Sequence, residues 1–175
     1  MDKHKKCVEC GRFLHNSKTP RRPRRFCSAK CRQRYCRANS IPMELRRLHR
    51  WVRADGKRPI MSNGRPASST DPGTWNTYEA CRSGSGDGFG IMLGDGLACW
   101  DFDHCLDADG DLIADGEAAR IVPSLLDEAV WTESSVSGTG LHIFVRSTDP
   151  SFKRPGVEFY SHSRFIRTTG KRWER

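Results

Sequence analysis

Apolar and polar side chains alternate along Leu97-Ala98-Cys99-Trp100-Asp101-Phe102-Asp103-His104, just after a Gly-Asp-Gly turn. Such alternation predicts a strand, with Asp101 and Asp103 on one face and Trp100 and Phe102 turned into a core. Further strands are predicted at 57–61, 88–93, 130–133, 141–145 and 156–160. Helical spacing is read in three places. Pro42, followed by Leu45, Leu48 and Val52, predicts an amphipathic helix over 42–53, with Arg46, Arg47 and Arg50 on a solvated face. Asp71-Pro72 as an N-cap predicts a helix over 71–82 that packs Trp75 and Tyr78 as core. The segment 117–129 predicts a helix broken at Pro123, and the glycines and serines of 83–88 a flexible loop. The pattern as a whole predicts an α+β domain with a mixed or antiparallel sheet.

Length and charge divide this picture in two. The chain has 175 residues and a formal net charge of +9. Residues 1–40 carry 13 Lys and Arg against two acids, a local net of +11, while 41–175 are close to neutral at −2. A basic module over 1–40 is therefore expected ahead of a second domain over 41–175, with Ala38-Asn39-Ser40-Ile41-Pro42 as linker. A strongly basic head points to a polyanion partner, and nucleic acid is the natural one. No apolar run approaches 18 residues and no signal-peptide core is present, so a soluble, cytoplasmic protein with no membrane partner is expected.

Eight cysteines in such a protein point to metal rather than disulfides. Cys7-x-x-Cys10 and Cys27-x-x-x-Cys31 are sixteen residues apart, and two close pairs on two turns supply the four ligands of a tetrahedral zinc. Gly11 permits the first turn, and Cys31 falls in the first turn of a predicted helix, as in a treble-clef or zinc-ribbon module. Cys36 and His15 are less well spaced substitutes. Forty residues bury little apolar surface, so the metal would stand in for a core. Arg21, Arg22, Arg24 and Arg25 lie between the pairs and are the expected phosphate contacts on DNA.

In the larger part, two carboxylates side by side on a strand repel one another unless a cation sits between them, and oxygen ligands of this kind suit Mg²⁺ or Mn²⁺. A solvated strand end is the plainer alternative. Glu158 is a lone acid in the apolar run of Gly156-Val157-Glu158-Phe159-Tyr160, where an unpaired carboxylate is costly. Ser135-Val136-Ser137-Gly138-Thr139-Gly140-Leu141-His142 is a small-residue loop entering a strand with a cleft-facing His, and its glycines would let backbone N–H groups approach phosphate. Arg164 and Lys171 supply positive charge further on; Lys57 reads more simply as a surface lysine. Asp107-Ala108-Asp109-Gly110-Asp111 imitates a calcium loop but has Leu112 and Ala118 where Gly and Glu are needed, so it reads as an acidic turn.

In this order, Asp-x-Asp, Ser-Gly-x-Gly-x-His and the lone acid of Gly-Val-Glu resemble the primase-polymerase domain of the archaeo-eukaryotic primase superfamily. The likeness runs over about 41–172 and includes Arg65-Pro66-Ala67-Ser68-Ser69-Thr70-Asp71-Pro72-Gly73-Thr74-Trp75, a stretch common in phage and actinobacterial members. It implies template-directed nucleotidyl transfer in phage or plasmid DNA replication, with nucleoside triphosphates as substrates and single-stranded DNA as template. Asp101, Asp103 and Glu158 would hold two Mg²⁺ or Mn²⁺ ions. Ser137, Gly138, Gly140 and His142 would contact the triphosphate, with Arg164 and Lys171 neutralising it. Because the chain stops just after Thr169-Gly170-Lys171, a replicative helicase is expected on a separate polypeptide. Two other classes use the same residues: a metal-dependent nuclease or replication-initiation protein, and a non-catalytic zinc-dependent DNA-binding module.

Overall fold

A computed structural model describes residues 6–14, 24–38 and 40–174. The chain divides into two compact units, Met1–Ser40 and Ile41–Arg175.

In the first unit, Lys6 and Phe13 bridge across a turn in which Gly11 N–H donates to Cys7 C=O and Gly11 takes φ +70°. Helix α1 (Ala29–Ala38) follows, and Ser28 Oγ caps it by accepting from Cys31 N–H. Among the described residues of this unit the only buried apolar side chains are two of the thiols, Cys7 and Cys31.

The second unit opens with a single helical turn, α2 (Met43–Arg46), and not the helix expected over 42–53. From Trp51 the chain is strand β1 (Trp51–Asp55). Leu45, Leu48 and Val52 all reach the core, but from α2, from the bend after it and from β1, so their spacing mimicked one helix face. Arg50 does not face solvent either: it lies over the Trp75 ring at 4.7 Å and pairs with Asp95.

Strand β1 turns at Gly56-Lys57 into β2 (Arg58–Ile60). The helix expected over 71–82 is replaced by 3₁₀ turns at Pro72–Thr74 and Ala80–Arg82. Asn76 exchanges both backbone hydrogen bonds with Trp51, which removes those groups from any helix. Tyr78 packs against the core, while Trp75 is half-buried and donates to Ser68 C=O. The 83–88 loop is pinned: the buried Arg53 donates to the carbonyls of Cys81, Gly84, Ser85 and Gly86.

Strands β3 (Gly88–Met92) and β4 (Leu97–Phe102) follow, then α3 (Glu117–Leu125), which runs through Pro123 and ends in a 3₁₀ turn at Leu126–Glu128. The rest is strand: β5 (Trp131–Ser134), β6 (Leu141–Arg146), β7 (Phe152–Arg154), β8 (Val157–Tyr160) and β9 (Phe165–Thr168). Two sheets result, β2-β1-β3-β9 and β5-β6-β4-β8-β7, with every pairing between named strands antiparallel. The fold is α+β, as expected, with two sheets and few helices.

Alternation along the strands sorts two cores. Trp51, Ile91, Leu97, Cys99, Phe144, Tyr160 and Ile166 pack between the sheets. Ala98, Phe102, Leu141, Ile143 and Val157 pack on the other face of the five-stranded sheet with Ala118 and Val122 of α3. Gly90 is required where β3 and β9 run side by side in the four-stranded sheet: a Cβ there would stand 2.2 Å from Ile166 C=O and 2.5 Å from the Phe165 ring. Gly90→Ala therefore forces β9 off β3, and a loss of about 2–3 kcal/mol is expected, measured as a lowered denaturant midpoint. An unchanged midpoint would mean that β9 does not lie where described.

Candidate functional site

Strand register builds the site. Asp101 of β4 pairs with His142 of β6 on one side and Glu158 of β8 on the other. His142 pairs in turn with Glu133 of β5, and Glu158 with Lys153 of β7. Five strands thus contribute Glu133, His142, Asp101, Glu158 and Lys153 to one row on one face. The adjacent row on that face, Trp131, Phe144, Cys99 and Tyr160, is apolar and buried between the sheets. Beyond the polar row lies Asp103, whose N–H continues the pairing by donating to Gly156 C=O at 3.1 Å.

Where the sheets part, a cleft of about 840 Å³ opens. Asp101, Asp103, His142 and Glu158 line one wall with Ser135, Val136 and Ser137. The other wall comes from the four-stranded sheet and its turns: Gly56, Lys57, Pro59, Phe165, Ile166 and Arg167, with Arg164 beside them. Lys171 is exposed and is not among the lining residues. Lys57 and Arg167 are basic residues that do line the cleft.

The row is electrostatically tense at its centre. Burial pushes the Asp101 carboxyl above its ordinary pKa, and the neighbouring charges of Asp103 and Glu158 push the same way against His142 and Arg164. Like charges directly opposite one another on a sheet are destabilising, and Asp101 and Glu158 stand in that relation. Glu158 is held below its usual range by the Tyr160 hydroxyl, with Lys153 at 3.4 Å and Arg164 at 3.9 Å assisting. For His142, burial opposes the charged ring, but the hydrogen bond to Glu133 and the charges of Glu133, Asp101 and Asp103 outweigh it and raise its pKa. The ring lies between two carboxylates, Nδ1 at 3.2 Å from Glu133 and Nε2 at 3.5 Å from Asp101.

The 135–140 loop is bonded to itself. Ser135 Oγ accepts from Gly140 N–H, Gly138 N–H donates to Ser135 C=O, and Ser137 lies between Ser135 and Thr139 at 3.0 Å from each hydroxyl. Gly140 also answers a packing demand, since a Cβ there would meet Phe102 C=O at 2.7 Å. The acidic 107–111 segment is a turn closed by Asp107 Oδ1, which accepts from Asp109 and Asp111 N–H.

Glu133 escaped sequence reading. In Trp131-Thr132-Glu133-Ser134 it has the residue type of an ordinary solvent-facing acid, yet it has no exposed surface. The one available signal was its phase: it shares the face of Trp131, an evident core residue.

In the first unit, the ligand atoms of Cys7, Cys10, Cys27 and Cys31 all lie within 4.8 Å of one another. Cys27 Sγ is 3.5 Å from both Cys10 and Cys31. Four sulfurs at about 2.3 Å from a tetrahedral zinc stand about 3.8 Å apart, so the cluster fits such an ion closely. The Cys27 thiol is pushed up to about 12 by the hydrogen bond it shares with Cys10 and the one it donates to Cys31, whereas backbone N–H groups of Cys27, Glu9 and Cys10 overcome burial and draw Cys7 down to about 6. No cysteine is in a disulfide. Among the described residues this is the one set of three or more ligating side chains so tightly gathered; the three acids of the cleft stand further apart. Arg24, Arg25 and Arg32 line a hollow of about 320 Å³ with Phe26 and Ser28, and Arg25 lies 5.6 Å from both the Phe26 and Tyr35 rings. Arg21, Arg22 and His15 fall outside the described residues.

No protein-family model matches the chain. It is 32% identical over 147 residues to a DNA primase-polymerase of Nitratiruptor phage NrS-1, an alignment covering 73% of this chain and 20% of that protein. The chain thus spans about a fifth of that relative's length. The likeness supports a relationship with primase-polymerases. Among the described residues no helix is long and apolar enough to cross a membrane.

Proposed function

We propose that this chain carries out template-directed nucleotidyl transfer, joining a nucleoside triphosphate to a 3′-hydroxyl on a DNA template. The observation that carries the reading is the register of Asp101, Glu158 and His142 in one row facing a cleft whose opposite wall is basic. The name of the phage relative supports it. Asp101, Asp103 and Glu158 would hold the divalent cations, Mg²⁺ or Mn²⁺, which their all-oxygen donor set suits. A bound pair of such ions supplies the charge that activates a hydroxyl and stabilises a departing pyrophosphate. His142, carrying a proton at Nε2, donates to the triphosphate. Arg164, Arg167 and Lys57 neutralise its remaining charge, and Ser137 meets it from the 135–140 loop.

Cys7, Cys10, Cys27 and Cys31 would hold a structural zinc. A hairpin turn followed by a helix with a ligand in its first turn is the treble-clef arrangement rather than the ribbon. Arg24, Arg25 and Arg32 then form a phosphate-gripping surface for single-stranded DNA, with Phe26 and Tyr35 beside it for base stacking.

The test is synthesis on single-stranded DNA by the full chain, with labelled nucleoside triphosphates and either ion. New strand that depends on triphosphate and on the ion is expected. Strand cleavage without incorporation would assign the carboxylates to a nuclease instead. His142→Ala is expected to raise the nucleotide KM by about 10- to 100-fold, the equivalent of one charge-assisted hydrogen bond, with little change in DNA affinity. Weakened DNA binding at unchanged nucleotide KM would move His142 to the template side.

A further inference from the structure

Glu133 is wholly buried and does not line the cleft, and nothing in the reaction as proposed touches it. Both its oxygens are nevertheless filled. Oε1 lies 3.2 Å from His142 Nδ1 and accepts from Thr169 N–H at 3.0 Å. Oε2 accepts from Trp131 Nε1 at 3.0 Å and Gly170 N–H at 2.9 Å. A buried carboxylate is a poor way to gain stability, since an apolar side chain of similar volume often does as well. Its position has to be explained by what it holds.

It holds both walls of the cleft. A carboxylate can only accept, so His142 Nδ1 carries a hydrogen, and that bond turns Nε2 toward Asp101 and the cleft. The same carboxylate seats the two amides that directly follow β9, the strand that brings Phe165 and Arg167 to the opposite wall. After Gly170 (φ +63°) the chain leaves the four-stranded sheet and runs along β5, with Ser134 N–H donating to Lys171 C=O and Trp173 N–H to Thr132 C=O. Glu133 stands at that crossing between the sheets.

We propose that Glu133 is the positioning residue of the site: it fixes the ring of His142 and the seat of β9, so that Nε2 and the wall built by β9 face the same cleft and the triphosphate bound in it. The nucleotide half of this rests on the function proposed above; the ring geometry does not. Two measurements on the full chain keep them apart. In ¹⁵N-resolved spectra of the wild-type imidazoles, His142, identified by the signal lost in His142→Gln, is expected to carry a slowly exchanging proton on Nδ1. A His142 ring bare at Nδ1 overturns the proposal whatever the activity.

The second measurement is a double-mutant cycle on nucleotide KM. Glutamine at 133 keeps the volume but offers one oxygen where there were two, and its NH₂ faces donors. Glu133→Gln is expected to raise nucleotide KM about tenfold with a smaller change in kcat, as loss of an orienting partner does. In a His142→Ala background the same substitution is expected to change KM by less than about twofold. An equal rise in both backgrounds overturns the proposal, because Glu133 would then act without His142. If Glu133→Gln fails to fold, the wild-type spectrum decides alone. If the wild-type chain incorporates no nucleotide, the functional reading fails while the spectrum still judges the positioning.

Discussion

Asp101→Ala and Asp103→Ala are each expected to reduce nucleotide incorporation by about 10³-fold or more while the purified variants remain folded. The size follows from the several kcal/mol of charge stabilisation that a liganded divalent ion contributes to phosphoryl transfer. The specificity follows from position. Asp103 is exposed just past the end of β4, and its side chain makes no hydrogen bond or ion pair among the described residues. Its charge adds to the repulsion felt at Asp101. Asp103→Ala is thus expected to leave the melting temperature of the metal-free protein unchanged or slightly raised, and to abolish the stabilisation that added Mg²⁺ or Mn²⁺ confers. Asp101→Ala also strips His142 of its Nε2 partner, so it is expected to be the less stable of the two. Primer extension at the wild-type rate by the double variant would remove the carboxylates from the reaction and with them the proposed function.

The second large effect is on the first unit. Replacing Cys7 and Cys10 by Ser is expected to release about one zinc per chain and to unfold residues 6–14 and 24–38, leaving the second unit intact. The unit has almost no core of its own: among its described residues, the buried apolar groups are the thiols of Cys7 and Cys31 themselves. Without metal, little else offsets the entropy of ordering the chain, and structural zinc commonly contributes about 10–16 kcal/mol of apparent binding free energy. Zinc content and limited proteolysis of the full chain report the two halves of the expectation. Because Arg24, Arg25 and Arg32 lose their common scaffold, affinity for single-stranded DNA is expected to fall and its salt dependence to flatten. Protease resistance of the first unit that persists after metal removal would mean that something other than the thiolates holds it.

Much of the fold was open to local reading because it obeys local periods. The alternation around Asp101 is a property of any strand, and it correctly set Asp101 on one face and Trp100 and Phe102 on the other, against a core. Paired cysteines flanking a glycine turn and a helix start are local too, and the four sulfurs do converge. Spacing failed where two elements shared one core. Leu45, Leu48 and Val52 fit a helix, but the backbone of Trp51–Asp55 had better partners in β2, β3 and Asn76, and long-range hydrogen bonds decided. At 71–82 the N-cap was real, since Asp71 does accept from Gly73 N–H, yet the turn it starts closes after three residues.

The site divides along the same line. By itself the sequence determined the chemistry on offer: two acids in phase on a strand, a lone acid, a histidine behind a glycine loop, and four thiols in two pairs. Each is a matter of residue type and of separations of a few residues, where backbone geometry alone dictates direction. Only the tertiary structure decided which of them meet. His142 faces Asp101 because β6 pairs with β4 in one register, and a slip of one residue would turn it to the other face. Arg167 and Lys57 line the cleft and Lys171 does not, because β9 and the β1–β2 turn end where the sheets part. Glu133 takes its donors from residues 2, 9, 36 and 37 positions away. No local pattern encodes that meeting, because it is made by pairing across two sheets rather than by the chain's own period.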